Sequence, residues 1–327
     1  MNILHKILVT SNLPFNNFEL FGKEFEFIIN KGKKFSSQEL TEKVKGINGL
    51  ICTLRNRIDS NIMDSAGDNL KVISNYAVGY DNIDIEAASK RNIFVTNTPD
   101  VLTETTADLA WALIMSISRR IVEAHNFILE GKWKDWHPLF FTGHDIHKKT
   151  LGIIGMGRIG TAIARRAKGF NMNVIYNNRS RKPNLEKSLK VKFEKLNALL
   201  QKADFIILSV SLNETTKNLI GKDEFDLIKE SAYIINISRG SVIHEKSLIS
   251  ALKNNQIAGA GLDVFYNEPI NLDNPLLKLK NVVLTPHIGS ASIETRNVMA
   301  KLAFENLFYI FKEQFNNAHI VNSELIG

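Results

Sequence analysis

Short apolar runs alternate with polar stretches over the first hundred residues. Buried strands are predicted at 6–10, 26–29, 49–53, 71–74 and 93–96, and a helix-compatible stretch covers 37–45. Strands that alternate with helices indicate a parallel sheet covered on both faces. We therefore predict an α/β domain of flavodoxin-like strand order in residues 1–100.

A second alternating series follows in residues 101–289. Its predicted strands are 151–154, 173–176, 205–210, 232–237, 259–263 and 282–285. This series predicts a doubly wound Rossmann domain. A last helix at 290–314 is expected to return the chain to the first domain, which would then comprise 1–100 and 290–327. The predicted fold class is α/β, with two doubly wound parallel-sheet domains.

Between the two series, Thr105 and Asp108 have the spacing of a helix start, and apolar positions recur on one face as far as Ile128. We predict one helix of about 25 residues, followed by an aromatic loop at 131–138. Together they carry more apolar surface than one domain readily hides. Because such patches mark interfaces and two-fold symmetry is the commonest arrangement, we expect a homodimer formed through residues 103–141.

The strand at 151–154 runs into a turn with glycines at Gly155, Gly157 and Gly160, and a helix follows. The first glycine permits the turn, the second lets a pyrophosphate approach the backbone, and the third lets the helix lie close to the strand. The helix N-terminus would attract phosphates. The turn predicts a dinucleotide site formed by Gly155, Met156, Gly157, Arg158, Ile159 and Gly160.

The second strand of that domain ends at Asn178, where NAD-binding members of such folds carry an acid that holds the ribose hydroxyls. Arg179, Ser180 and Arg181 come next. A guanidinium suits a dianionic phosphate, and a serine hydroxyl adds a donor. We predict preference for NADP(H), with Arg179 as the main contact and NAD(H) as the possible second cofactor. A solvated basic turn is the alternative.

Three charged residues follow predicted strands of the second domain, namely Arg239, Glu268 and His287. Ligands of doubly wound sheets bind beyond the carboxyl ends of the strands. Each residue alone could be an ordinary loop or cap residue. Together, beside a glycine fingerprint, they predict an active site.

Composition removes several other classes. The 327 residues have a formal net charge of +7, but basic and acidic residues are interspersed without a block of like charge, which argues against a nucleic-acid partner. No apolar run is long enough to span a bilayer, so we expect no membrane association.

A single cysteine, Cys52, suits a reducing compartment, and the cytoplasm is the default. The histidines at 137, 144 and 147 fit no zinc spacing, and we predict no metal.

The sequence resembles the D-isomer-specific 2-hydroxyacid dehydrogenases, most closely the glyoxylate/hydroxypyruvate reductase branch. The resemblance runs over nearly the whole chain and is weakest in the first 45 residues. It is carried by the segments 74–83, 95–100, 105–109, 155–160, 236–240, 259–265 and 286–290. Ser211 and Ser238 depart from residues common in the family, proline and alanine respectively.

The resemblance implies roles for the charged residues. His287 would protonate the keto oxygen as hydride arrives from the nicotinamide, and Glu268 would hold the imidazole and favour its protonated form. Arg239 would bind the substrate carboxylate. Trp136 would either enter the partner subunit's site or serve dimer packing.

The resemblance also implies further contacts. Asp263 is expected at the nicotinamide carboxamide, with a capping role as its alternative. Cofactor contacts are implied for Thr106, Ile237, Ser238, Asp263 and Gly289. Substrate contacts are implied for Leu54, Val78, Gly79, Arg239 and His287, the first three through backbone N–H groups for which an ordinary turn is the alternative.

The implied activity is an NADPH-preferring reduction of short 2-keto acids, from glyoxylate to glycolate and from hydroxypyruvate to D-glycerate. Two alternatives remain at this point. One is a phosphoglycerate or D-lactate type dehydrogenase on the same frame. The other is a cofactor-sensing binding protein related to transcriptional corepressors.

Overall fold

The computed structural model describes residues 4–326. The strands are β1 (His5–Val9), β2 (Phe25–Ile29), β3 (Gly49–Cys52), β4 (Val72–Asn75), β5 (Phe94–Thr96), β6 (Thr150–Ile154), β7 (Asn173–Asn177), β8 (Lys192–Phe193), β9 (Phe205–Leu208), β10 (Tyr233–Asn236), β11 (Gly259–Leu262) and β12 (Val282–Leu284). The helices are α1 (Ser37–Lys43), α2 (Ser60–Ala66), α3 (Ile85–Lys90), α4 (Thr103–Ser118), α5 (Ile121–Leu129), α6 (Arg158–Ala167), α7 (Pro183–Leu189), α8 (Leu196–Lys202), α9 (Lys222–Phe225), α10 (Glu245–Lys253) and α11 (Ile293–Phe311).

The first compact unit comprises the described residues up to Leu102 together with those from Ala291 on. Its five strands are parallel and lie in the order β2-β1-β3-β4-β5. This is the flavodoxin-like order, which confirms the predicted fold.

The helix α11 belongs to this unit and packs on its sheet. The Ser74 hydroxyl on β4 donates to the Ala303 carbonyl at 2.7 Å, and the Phe304 ring stacks on Phe15 with centroids 4.7 Å apart. Ser292 caps the helix through the N–H of Thr295. The predicted final helix is therefore present, although it begins and ends a few residues inside the predicted range.

The second unit, Thr103–Ser290, holds a seven-stranded sheet in the order β12-β11-β10-β9-β6-β7-β8. Every pair in it is parallel. The order reverses at β6 and β9, as in a Rossmann sheet, and the strands there are buried on both faces. The Rossmann prediction is confirmed.

The prediction of one long helix from Thr105 to Ile128 is wrong. The helix α4 ends at Ser118, and Arg120 has a φ of 53°, which an α-helix cannot contain. The Ser118 carbonyl accepts the N–H of His144 at 2.9 Å instead of continuing the helical ladder. The apolar residues beyond the break, on α5, consequently lie outside the core, and α5 buries none of its side chains.

Candidate active site

The glycine turn joins β6 to α6 in the second unit. Gly155 has a φ of 101°, and a β-carbon there would clash with the Ser209 carbonyl. A β-carbon on Gly160 would clash with the Gly155 carbonyl, so the helix lies directly against the turn. A β-carbon on Gly157 would meet nothing within 4 Å, and Gly157 leaves the first turn of α6 without a side-chain cap. The turn therefore fits a pyrophosphate, which needs close approach and free N–H groups.

The segment after β7 carries the residues predicted to select the cofactor. Asn178 donates through its side-chain amide to the Ser180 carbonyl at 3.0 Å, which folds the segment back on itself. Arg179 is exposed, and none of the residues 4–326 gives its side chain a hydrogen bond or ion pair. Arg181 is held by Glu186, with Nη2 to Oε2 at 2.5 Å. Arg181 is thus paired with a carboxylate, whereas Arg179 is not.

Arg239 follows β10 in a turn fixed by a buried amide. Asn236, 1% exposed, accepts the N–H and hydroxyl of Ser238 at 3.0 and 2.8 Å and donates to the Arg239 carbonyl at 2.9 Å. A β-carbon on Gly240 would clash with the backbone of Phe265, so no larger residue fits there. These contacts place the turn of Arg239 beside the loop that carries Glu268.

His287 and Glu268 form a hydrogen-bonded pair. The Nδ1 of His287 lies 2.6 Å from Oε2 of Glu268, while Oε1 accepts the N–H of Phe265 at 3.0 Å. Both side chains are about one-third exposed. The remaining ring nitrogen, Nε2, has no hydrogen-bond partner within the described part of the chain. The pair therefore presents one imidazole nitrogen to a ligand and fixes the other.

Hydrogen bonds to Asp263 hold the loop that carries His287. The carboxylate, 1% exposed, accepts the Thr285 hydroxyl at 2.7 Å and the N–H groups of Ile288 and Gly289 at 2.8 Å each. These contacts are those of a cap. A β-carbon on Gly289 would lie 3.3 Å from Asp263 and 3.5 Å from the Thr106 hydroxyl, so the structure brings these three predicted cofactor residues together.

Burial and charge act in opposite directions on the two carboxylates. Burial alone would raise the pKa of Glu268, but the hydrogen bond and charge of His287, the Phe265 N–H and the charge of Arg239 bring that pKa below its usual value. For Asp263 burial prevails and raises the pKa, although the Ile288 N–H and the Thr285 hydroxyl oppose it. Glu268 is therefore the carboxylate that stays ionised most readily.

In the first unit, the predicted substrate residues lie after β3 and β4. The N–H groups of residues 54–55 and 78–79 have no hydrogen-bond acceptor within residues 4–326. At residues 78–79 the carbonyls are also fixed, since Asn97 donates to Val78 at 2.7 Å and Asn75 donates to Gly79 at 2.8 Å. Free N–H groups on a held backbone are suited to binding an anion.

A cavity of about 1060 Å³ opens elsewhere in the second unit. It lies at the amino ends of β6 and β7, opposite the glycine turn, and several lysines line it. Glu194 pairs with Lys192 and Lys202 at 2.9 Å each, which offsets part of the positive charge. Because doubly wound sheets bind ligands at the carboxyl ends of their strands, we place the site at the glycine turn and not in this cavity.

The expectation that His137, His144 and His147 bind no metal stays a prediction. In residues 4–326 no group of three His, Cys, Asp or Glu side chains is arranged to hold a metal ion. His144 instead lies 2.8 Å from the Tyr233 hydroxyl. Over the same residues, no helix has the length and apolar character of a bilayer span.

Sequence reasoning missed the supports of the site. Asn236 was recognised only as part of a motif, and the roles of Thr285, Tyr176 and Glu186 were not foreseen. An asparagine at the end of a strand and two residues before a serine is a local signal of a side-chain-fixed turn, and it could have identified Asn236.

A Rossmann sheet, a glycine turn and an imidazole–carboxylate pair at one sheet edge define a nucleotide-dependent dehydrogenase. The family model described as "D-isomer specific 2-hydroxyacid dehydrogenase, NAD binding domain" matches residues 111–289. The chain belongs to the D-isomer specific 2-hydroxyacid dehydrogenases. It is an NAD(P)-dependent enzyme of that family, as the sequence predicts.

Relatives resemble the chain over nearly its full length. A glyoxylate reductase of Thermococcus gammatolerans is 46% identical over 326 residues, 98% of this chain and 97% of the relative. The crystal structure of a glyoxylate reductase from Paecilomyes thermophila has a TM-score of 0.86 at 30% identity, covering 98% of this chain and 99% of that one. An NADPH-dependent glyoxylate/hydroxypyruvate reductase of Sinorhizobium meliloti, in complex with NADP and malonate, has a TM-score of 0.82 at 33% identity and covers 94% and 93%.

Proposed function

We propose that the protein is an NADPH-preferring reductase of short 2-keto acids, which converts glyoxylate to glycolate and hydroxypyruvate to D-glycerate. The observation that carries the proposal is the 2.6 Å pair of His287 and Glu268, with Nε2 left open. The names of the similar glyoxylate reductases support the substrate class.

The proposed chemistry needs two tasks from the protein, proton transfer to the keto oxygen and binding of the substrate carboxylate. The glycine turn would hold the pyrophosphate of a reduced nicotinamide dinucleotide, which when bound would supply the hydride for the keto carbon. Nε2 of His287 gives its proton to the keto oxygen, because Nδ1 is engaged by Glu268 and only an imidazole exchanges a proton readily near neutral pH. The ionised Glu268 engages Nδ1 and fixes the direction of the ring. Arg239 binds the substrate carboxylate and polarises the carbonyl through its planar fork.

The remaining contacts extend this proposal. The free N–H groups of Leu54, Val78 and Gly79 bind the substrate carboxylate as backbone donors. Thr106, Ile237 and Ser238 line the cofactor site with Asp263 and Gly289. The glycine-turn residues hold the pyrophosphate.

The NADPH preference rests on the segment after β7. No acid stands at Asn178, and Arg179 is exposed without a partner among the described residues. An unpaired guanidinium can donate hydrogen bonds to a 2′-phosphate without first losing another contact. The Sinorhizobium reductase, which is described as NADPH-dependent, supports the same choice.

A steady-state panel tests the substrate class. Glyoxylate, hydroxypyruvate, phosphohydroxypyruvate and pyruvate are each offered with NADPH and with NADH, and loss of absorbance at the nicotinamide band is followed. We expect the highest kcat/KM with glyoxylate or hydroxypyruvate and NADPH. Highest efficiency with phosphohydroxypyruvate or pyruvate would favour the phosphoglycerate or D-lactate alternative, and no turnover with any acid would favour a binding protein.

Arg179→Ala tests the cofactor contact. The KM for NADPH should rise about tenfold or more, while the KM for NADH changes little because NADH lacks the phosphate. Equal losses with both cofactors, or a wild-type enzyme that prefers NADH, would overturn the assignment.

We also propose a homodimer through residues 103–141. The helix α5 buries none of its side chains, and Leu129, Trp136 and Leu139 are 72%, 69% and 79% exposed. Apolar area of this extent is typical of an interface, and a second copy of the chain is the proposed occupant. Sedimentation at micromolar concentration should give a dimer, and Leu129→Lys should shift it towards monomer. A monomeric wild type would refute the proposal.

A further inference from the structure

A buried tyrosine supports the segment that follows β7. Tyr176 is 0% exposed, and its hydroxyl makes two hydrogen bonds. It accepts the backbone N–H of Lys182 at 2.6 Å and donates to Oε1 of Glu186 at 2.8 Å. One side chain therefore fixes both the end of the segment 178–182 and a carboxylate on α7.

Glu186 in turn fixes an arginine. It accepts Nε and Nη2 of Arg181 at 3.1 and 2.5 Å, which is the two-point geometry of an arginine–carboxylate pair. The guanidinium also lies over the Phe193 ring, 5.7 Å from its centroid. The hydrogen bonds from Arg181 and Tyr176 hold the pKa of Glu186 below its usual value, so the carboxylate is charged at neutral pH. Arg181 is thus held by two groups, the Glu186 carboxylate and the Phe193 ring.

We propose that Tyr176 and Glu186 form a brace that fixes Arg181 and the backbone of Lys182, and thereby leaves Arg179 as the arginine that selects the cofactor's 2′-phosphate. This inference rests on the proposed preference for NADP(H). It gives Arg181, which the sequence places among the cofactor contacts, a positioning role instead.

The physical reason is preorganisation. The segment 178–182 is exposed and carries two arginines, so without the brace it would lose conformational entropy whenever a phosphate binds. The hydrogen bond to Lys182 and the ion pair of Arg181 fix that conformation in advance. The cation needed for recognition, on Arg179, remains outside the pair.

Binding of two nucleotides tests the brace without turnover. Adenosine 2′,5′-bisphosphate carries the 2′-phosphate and 5′-AMP lacks it, and calorimetry gives the dissociation constant of each for the purified full chain. The ratio of the two constants measures recognition of the 2′-phosphate alone. Tyr176→Phe keeps the ring and removes the hydroxyl, so we expect about fivefold weaker binding of the bisphosphate and little change for 5′-AMP.

Two exposed variants test the division between the arginines. Arg179→Gln should weaken bisphosphate binding about tenfold or more, whereas Arg181→Gln should weaken it less than about threefold. Both side chains lie at the surface, so these variants keep the proposal testable even where Tyr176→Phe folds poorly. Tyr233→Phe is the matched control, because it also removes a buried tyrosine hydroxyl from a hydrogen bond, here with His144 at the amino end of β10.

The outcomes separate the two proposals. If the wild type binds the bisphosphate no more tightly than 5′-AMP, the preference for NADP(H) fails. If the wild type discriminates but Tyr176→Phe discriminates equally well, the brace alone is overturned. Equal losses in Arg179→Gln and Arg181→Gln would likewise overturn the positioning role of Arg181.

Discussion

At the carboxyl end of its sheet, the first unit offers backbone N–H groups at residues 54–55 and 78–79, whereas the second offers the side chains of Arg239, Glu268 and His287. Backbone donors keep the same charge at every pH and cannot transfer a proton. In the second unit, the carboxylate of Glu268 and the imidazole of His287 are groups that can change charge and exchange a proton, whereas the guanidinium of Arg239 stays charged. In the proposed enzyme, the first unit therefore binds an anion and the second carries the chemistry.

This contrast predicts how kinetic effects should divide. Changes in the second unit should lower kcat where they touch proton transfer. Changes that disturb only the backbone donors of the first unit should raise KM and leave kcat intact, since they weaken ground-state and transition-state binding alike.

The largest effect is expected at His287. His287→Gln removes the proton donor but keeps a polar side chain, so kcat should fall about 10²- to 10⁴-fold. NADPH affinity, measured by fluorescence titration, should stay near the wild-type value. A variant with near wild-type turnover at neutral pH would show that the proton donor is another residue.

A smaller effect is expected at Arg239. Arg239→Lys replaces a planar fork by a point charge, so the KM for the keto acid should rise about tenfold, with a lesser fall in kcat. Steady-state kinetics at saturating NADPH measures both constants. Unchanged constants would contradict the role proposed for Arg239.

The matching change in the first unit is Asn97→Ala, which frees the Val78 carbonyl. The free N–H groups next to it lose their fixed direction, so we expect a KM about three- to fivefold higher with kcat unchanged. Asn48→Ala, at the opposite end of the same sheet, is the control. A fall in kcat equal to the rise in KM would remove the contrast between the units.

The smallest effect concerns His5 in the first unit. Burial lowers its pKa below 6.5, Lys71 and Lys312 add to this, and Glu24 opposes it. Its Nδ1 is buried without a hydrogen-bond partner, and its ring lies 4.5 Å from that of Phe311. Below pH 6.5 the unfolded chain takes up a proton that the folded chain resists, so stability should fall as the pH falls.

Urea unfolding at pH 7.5 and pH 5.5 measures this loss. In His5→Phe, which keeps an aromatic ring in the same cluster, the loss between the two pH values should be smaller than in the wild type. An identical loss in both proteins would exclude His5 as its source.

The strands and the glycine turn were predictable because each has a local pattern. The glycines at 155, 157 and 160 and the apolar runs that become strands are visible in any window of a few residues. The break between α4 and α5 was not predictable, because it depends on a hydrogen bond from His144, 26 positions after Ser118. Helical periodicity continues through the break and carries no sign of it.

The backbone donors and the pairing of Arg181 were not predictable for a related reason. Backbone donors at Val78 and Gly79 depend on conformation and not on residue type, so no side-chain pattern reveals them. The different states of Arg179 and Arg181 arise from Glu186, which the sequence places on the next helix without indicating which arginine it pairs with.

His287 combines its side chain with an unusual backbone. Its φ is 54°, in the left-handed region that costs a residue with a β-carbon about 1 kcal/mol, and the contacts of Asp263 hold the loop in that conformation. Glycine or asparagine at this position would thus make the fold more stable but would remove the proposed proton donor. At this one residue, the fold gives up some folding free energy and holds the imidazole in a fixed direction.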